Sequence, residues 1–293
     1  MKVSVAKYPN VTACMTNISS QSGSHPIDPT TPFNSIILAG ERPGGSLLGH
    51  AFDVPASVLV PVAGKPCLQW VMDAISDSAQ VNSGVICGPT AEVLQHSEEL
   101  RQMLQDPLFQ WLEPATGPAA SAMAALDSLN HYPTLITAGD HALLNSEIVD
   151  DFCTQVCQLS TRANPDFVIG LVPYALVRSA WPETKRTVLK FSNGGYCGSN
   201  LFAVLNTNGM KALSFWSQAE ADRKQPWRIA RRFGPIALLC YLLKRLTLDD
   251  ALQKLSKASG CSIGYVQLDH ARAAVDVDSI EDQRLAERIL LAG

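Results

Sequence analysis

Ser35-Ile36-Ile37-Leu38-Ala39-Gly40-Glu41-Arg42-Pro43-Gly44-Gly45 is the stretch whose reading decides the fold. A short apolar run, closed by glycine, reads as a strand buried on both faces that empties into a glycine-rich loop. Working outward, strand-like runs return at Gly84–Cys87, Thr134–Thr137, Phe167–Val172 and Ser262–Leu268. Helical patterns fill the gaps at Cys67–Ser78, Ala91–Leu104, Ala119–Leu129, Glu147–Leu159, Gly209–Ala221, Pro235–Arg245, Leu248–Ser259 and Ile280–Leu291. Strands alternating with helices predict an α/β fold with parallel pairing through crossovers. Ser279, followed by Asp282, marks the start of the last helix. Val188–Gly195 and Tyr196–Ala203 read as a hairpin turning at Asn193-Gly194, which makes the sheet mixed.

The bulk of the chain narrows the function classes. With 293 residues, 46% of them hydrophobic, it can bury roughly three quarters of its unfolded surface. A net charge of −4 gives no basic face for nucleic acid. The apolar run Pro235–Leu243 is stopped by Lys244-Arg245, well short of the roughly 20 residues a membrane span needs. No charged-then-apolar leader pattern opens the chain. These points predict a soluble cytoplasmic protein without membrane or nucleic-acid partners. Residues 1–33 are polar and aperiodic and read as a weakly ordered extension, with a compact domain over 34–293. The eight cysteines form no CxxC pair and read as reduced core thiols; Cys153 and Cys157 are two small core residues on one helix face.

Five constellations carry possible chemistry. In open α/β sheets, ligands bind beyond the carboxyl ends of the strands. The loop after Leu38, Ala39 and Gly40 therefore stands where main-chain N–H groups can approach a phosphate or a base edge, with Arg42 as a phosphate partner. The loop has neither the GxGxxG nor the Walker spacing. Thr134–Thr137 runs through Ala138-Gly139 into Asp140, which places a carboxylate at the same edge, suited to Mg2+ against phosphate oxygens; the bland alternative is a cap for the helix near Asn145. His141 reads as structural. Asp276 and Asp278 alternate with valines and are expected to point to opposite sides, so that one at most faces a shared site; taken alone, the stretch reads better as acidic residues ahead of a helix N-terminus. In the turn Glu113–Ser121, which holds Gly117, main-chain N–H groups and Ser121 could hydrogen-bond a base or ribose, while a plain loop with close helix packing explains the pattern nearly as well. Thr184-Lys185-Arg186-Thr187 is a short cationic pair before a strand.

In this order, the loop at Leu38-Ala39-Gly40, Leu59-Val60-Pro61-Val62-Ala63-Gly64-Lys65-Pro66, Gly117–Ser121, Ala138-Gly139-Asp140 and Asp276-Val277-Asp278 resemble the MobA-like nucleoside triphosphate transferases, over most of Asn34–Leu291. The resemblance implies a Rossmann-like three-layer sandwich, of the glycosyltransferase-A type, with a mostly parallel, mixed central sheet. It implies transfer of a nucleoside monophosphate from an NTP to a phosphorylated small-molecule acceptor, with release of pyrophosphate. It implies that Gly40 and its neighbours hold base and phosphates. Asp140 with Asp278, or less favourably Asp276, would hold Mg2+; Arg42 would match the loop arginine. A homo-oligomer is compatible with it.

Two positions depart from the family pattern. Glu41 stands where the loop's second glycine is usual. Ser57 stands where the family places a lysine that neutralises the α-phosphate. Losing a preorganised electrostatic stabiliser costs on the order of 100- to 1,000-fold in rate. Lys185 or Arg186 are the candidates to compensate; Lys65 is a separate position. The rival expectation is a catalytically impaired nucleotide- or sugar-nucleotide-binding protein on the same fold. A third is a scaffold subunit that docks a partner through Pro235–Arg245.

Overall fold

The computed structural model describes residues 27–28, 30–41, 45–222 and 245–292. Of the extension expected over residues 1–33, residues 1–26 and 29 lie outside these, as do Arg42 and most of the helix expected at Pro235–Arg245; Ile27 packs on the main core and Phe33 is fully buried, so the packed chain begins before residue 34. In chain order the elements are β1 (Phe33–Leu38), α1 (Leu47–Ala51), β2 (Pro61–Val62), β3 (Lys65–Pro66), α2 (Cys67–Ser76), β4 (Val81–Cys87), α3 (Ala91–His96), α4 (Glu98–Met103), β5 (Phe109–Leu112) and α5 (Pro118–Leu129). Then follow β6 (Thr134–Ala138), α6 (Ser146–Ala163), β7 (Phe167–Pro173), α7 (Tyr174–Ala180), β8 (Leu189–Phe191), β9 (Gly194–Val204), α8 (Met210–Asp222), α9 (Leu248–Ser259), β10 (Ile263–Gln267) and α10 (Ile280–Leu291).

The main sheet has eight strands in the order β10-β7-β9-β6-β1-β4-β5, with β8 on β9. β1 pairs parallel with β4 and β6, β4 with β5, and β7 with β10. β9 runs antiparallel to β6, β7 and β8. The expected mixed sheet and hairpin are therefore present, but the turn falls at Ser192-Asn193 instead of Asn193-Gly194, because Gly194 already pairs with Phe191.

The apolar runs are continuous because both faces of the sheet are covered. Ile37 and Leu135 enter one core with α2 and α6, while their neighbours Ile36 and Ile136 enter the opposite core with α5, α8 and α9. Each such buried side chain contributes about 1.5–3 kcal/mol relative to exposure. These are the three layers that the sequence predicts. Cys153 and Cys157 are both buried in the α6 core, and burial pushes the Cys153 thiol well above its usual range.

A third, smaller core matters more for the site. Val60, Val62, Leu143, Val275, Val277, Leu285 and Ile289 close together there. It fastens α10 to the β2–β3 hairpin, helped by Gln283 donating to the Pro61 carbonyl at 2.9 Å. Ser279 caps α10 as expected, its side chain accepting from the Asp282 N–H.

Several elements differ from expectation. The helix expected over Ala91–Leu104 is two helices, because Ser97 is extended and caps α4 by accepting from Leu100 N–H. β5, α1 and α7 carry patterns too short to read from the sequence. The α6 cap is Asn145, accepting from Ile148 N–H, so Asp140 is not spent as a cap.

Candidate active site

The parallel pairing brings the ends of β1, β4 and β6 together, with Leu38 opposite both Cys87 and Ala138. Pairing continues into the loops: Ala39 N–H donates to the Cys87 carbonyl at 2.8 Å and Gly139 N–H to the Leu38 carbonyl at 2.9 Å. The approach is close. A side chain on Gly139 would meet Val58 at 3.2 Å and Ala39 at 3.3 Å. Gly88, at φ +99°, would place one 2.8 Å from the Ala39 carbonyl oxygen, so only glycine fits there. At this edge Leu38 is half-buried, Ala39 buried and Gly40 exposed.

α5 packs on β1 and β4 and brings Gly117 and Ser121 alongside. The Ser121 Oγ accepts from Ala115 N–H at 2.9 Å, folding the Glu113–Ser121 turn onto its own helix. Gly117 opens α5 near Glu220, whose carboxylate would lie 3.1 Å from any Cβ placed there.

Asp140 lies two residues beyond the end of β6, after Gly139. Its main-chain carbonyl accepts from Val277 N–H at 3.1 Å, which ties the segment carrying Asp276 and Asp278 to it. Its Oδ1 is buried and has no hydrogen-bond partner among the described residues. Burial first, then the Asp276 and Asp278 carboxylates, then Glu41, push its pKa from 3.8 up to about 7. A buried carboxylate oxygen without a donor, among further carboxylates, is short of positive charge. Among the described residues no group of three or more His, Cys, Asp or Glu side chains could hold a metal ion, so Asp140 with one further carboxylate could supply at most two carboxylate ligands to a hard divalent cation.

Asp276 and Asp278 correct the expectation that they point apart. Residues two apart in an extended segment share a side. Val275 and Val277 take the other side and are buried, and both carboxylates act on Asp140. Their partners separate them instead. Asp276 Oδ1 accepts from Arg186 Nη1 at 2.9 Å and its Oδ2 from Asn200 Nδ2 at 3.1 Å. Arg186 also pairs with Asp282, and its side chain is only 7% exposed. Asp276 is thus held in a knot, whereas Asp278 is exposed.

That knot was hidden in the sequence, where Arg186 read only as half of a cationic pair. Lys185 beside it is exposed. Lys65 donates to Asp73 at 2.5 Å and lies 4.0 Å from the Trp70 ring centre, which makes it part of the β3–α2 packing. His141 is fully buried. Neither ring nitrogen has a well-formed partner among the described residues, and burial lowers its pKa to about 4, partly offset by Asp276 and the Arg272 main chain.

The model of the MobA-like NTP transferase domain matches residues 36–185. The chain belongs to this family. It is accordingly a nucleotidyltransferase. No curated protein matches it by sequence. A hypothetical transferase from Thermus thermophilus is 26% identical and superposes with a TM-score of 0.69 over 86% of this chain and 99% of that one. Two more distant structures share the fold. A 4-diphosphocytidyl-2C-methyl-D-erythritol synthase from Anaerococcus prevotii is 12% identical, with a TM-score of 0.53 over 89% of this chain and 97% of that one. A CMP:2-keto-3-deoxy-manno-octonic acid synthetase complexed with CTP is 12% identical, with a TM-score of 0.54 over 89% and 99%. Gly40 and Asp140 follow neighbouring parallel strands and share one sheet edge.

Proposed function

We propose that this transferase moves a nucleoside monophosphate from an NTP to a phosphorylated small-molecule acceptor, with Mg2+ and with release of pyrophosphate. The observation that carries the reading is Asp140: a buried carboxylate oxygen without a partner among the described residues, at the edge where β1 meets β6. Asp140 and Asp278 would hold the metal, with Asp276 kept in place by Arg186 and Asn200 rather than ligating. Bound there, Mg2+ would supply charge to the phosphate oxygens as they reorganise.

The chain's own work is positioning. The backbone at Leu38, Ala39 and Gly40, with Gly117 and Ser121 across from it, holds base and phosphates. Arg42 and Lys185 are the candidate cations for the phosphates. An acceptor phosphate is already an anion, so no general base is needed. For the acceptor's body, a cavity of about 710 Å3 opens at the carboxyl ends of β7 and β10, lined by Tyr174, Arg178, Asn193, Tyr196 and Gln267 among others. Arg178 is the only charged residue in that lining among the described residues and would take an anionic group.

The test is pyrophosphate release by the purified protein, with each NTP, Mg2+ and a panel of phosphorylated acceptors. Release with one pair, lost in Asp140→Ala, is the expected result. NTP binding without release by any pair would favour a second reading: a catalytically impaired nucleotide- or sugar-nucleotide-binding protein. Ser57, which brings no cation to the site, is the observation behind that alternative.

A further inference from the structure

Glu41 stands at this edge outside the proposed metal site. Its Oε2 accepts from the Ser57 N–H at 2.7 Å, across 16 residues of chain. The Ser57 amide is next to the centre of the site, because Val58 packs where Gly139 and Ala39 meet, immediately before Asp140. Glu41 and Ala56 both line a cavity of about 490 Å3, so the contact forms part of the wall of an open space that a ligand can enter. Glu41 is also close enough to add to the charge acting on Asp140.

Main-chain N–H groups beside a metal centre are what phosphate oxygens take as donors. Here the donor is already held by an anion that belongs to the protein. The Glu41 carboxylate has the charge and hydrogen-bonding pattern of a phosphate oxygen. We propose that Glu41 is a built-in competitor for nucleotide phosphate: it holds the Ser57 N–H in the nucleotide-free protein and yields it when a triphosphate enters. The inference rests on the nucleotide reading above and adds a determinant of affinity to it. Competition weakens triphosphate binding most without Mg2+, where no cation screens Glu41 from the phosphates.

The test compares wild type, Glu41→Gln and Glu41→Ala by equilibrium binding of each of the four ribonucleoside triphosphates, in Mg2+ and in EDTA. Thermal melts confirm that each variant is folded. Glutamine keeps an acceptor oxygen for the Ser57 N–H but loses the charge; alanine loses both. Hydrogen bonds to charged groups are worth about 1.5–3 kcal/mol, so Glu41→Gln is expected to tighten binding in EDTA by about tenfold or more, and Glu41→Ala at least as much. The gain shrinks in Mg2+. A clasp that only shapes the loop predicts the opposite order, with Glu41→Gln equal to wild type and Glu41→Ala weaker; that result overturns the proposal and leaves the nucleotide reading intact. Absence of triphosphate binding in all three proteins, under both conditions, overturns both.

Discussion

Two acidic regions lie side by side in this molecule and are treated in opposite ways. Around Arg186 every charge is answered: Asp276 and Asp282 share the guanidinium, and Asn200 takes the remaining Asp276 oxygen. Around Asp140 they are not: a buried oxygen lacks a donor among the described residues, and three other carboxylates act on it. The first arrangement fixes the 276–278 segment against α10. The second pushes the Asp140 pKa up to about 7, and a cation bound there would favour the ionised carboxylate. Satisfied burial fixes a segment here, and unsatisfied burial at Asp140 makes it a candidate for the place of work.

The contrast can be broken from either side. Arg186→Met leaves Asp276 and Asp282 without their cation, and removing one partner of a buried pair costs about 3–5 kcal/mol. Denaturant unfolding should show that loss, whereas an unchanged midpoint would mean the knot is not a stabilising unit. Asp140→Asn should act in the opposite direction. The folded protein holds the Asp140 proton more tightly than the unfolded chain does, so its contribution favours folding at low pH and is lost as pH rises from 3.8 through about 7. At pH 8 the variant should therefore be more stable than wild type by roughly 2–4 kcal/mol, while losing Mg2+-dependent NTP binding.

His141 sharpens the same experiment. Its pKa falls from 6.5 to about 4 on folding, so its contribution is present above pH 6.5 and is lost as pH falls through about 4. In wild type the two slopes oppose each other over the same window. Asp140→Asn removes one of them, and its stability should fall on acidification by roughly 3 kcal/mol. A flat profile in the variant would sink the assignment.

The next effect is kinetic. Ser57→Lys alone places its ammonium beside Glu41, which will pair with it. With Glu41→Gly added, the cation is released toward the phosphates, and pyrophosphate release should rise by on the order of 100-fold over Ser57→Lys alone. Additive effects of the two changes would show that positions 41 and 57 are uncoupled. The smallest effect is expected from Lys65→Ala. Its partners Asp73 and Trp70 lie on the half-exposed β3–α2 surface, so stability should drop by about 1 kcal/mol or less and turnover should not change.

How much was legible depended on whether the signal was local. β1 and β6 were readable because a strand covered on both faces is a continuous apolar run. The bounds of α9 and α10 matched expectation because Thr247 and Ser279 are local caps. β5 escaped because four residues at a sheet edge, half of them only partly buried, carry little pattern. Ser97 escaped as a break because serine is ordinary inside a helix until its backbone is seen to be extended.

The sequence by itself determined the alternation of strands and helices, the glycine that ends β1, and the aspartate that ends β6. These are properties of a few neighbouring residues, set by burial and by backbone sterics. Only the tertiary structure decided which acids are spent and which remain available. Arg186 meets Asp276 across 90 residues and Asp282 across 96, and Glu41 reaches Ser57 across 16. Charge pairing depends on separation in space and on exclusion of water, and no spacing along the chain encodes either one before the sheet brings the ends together.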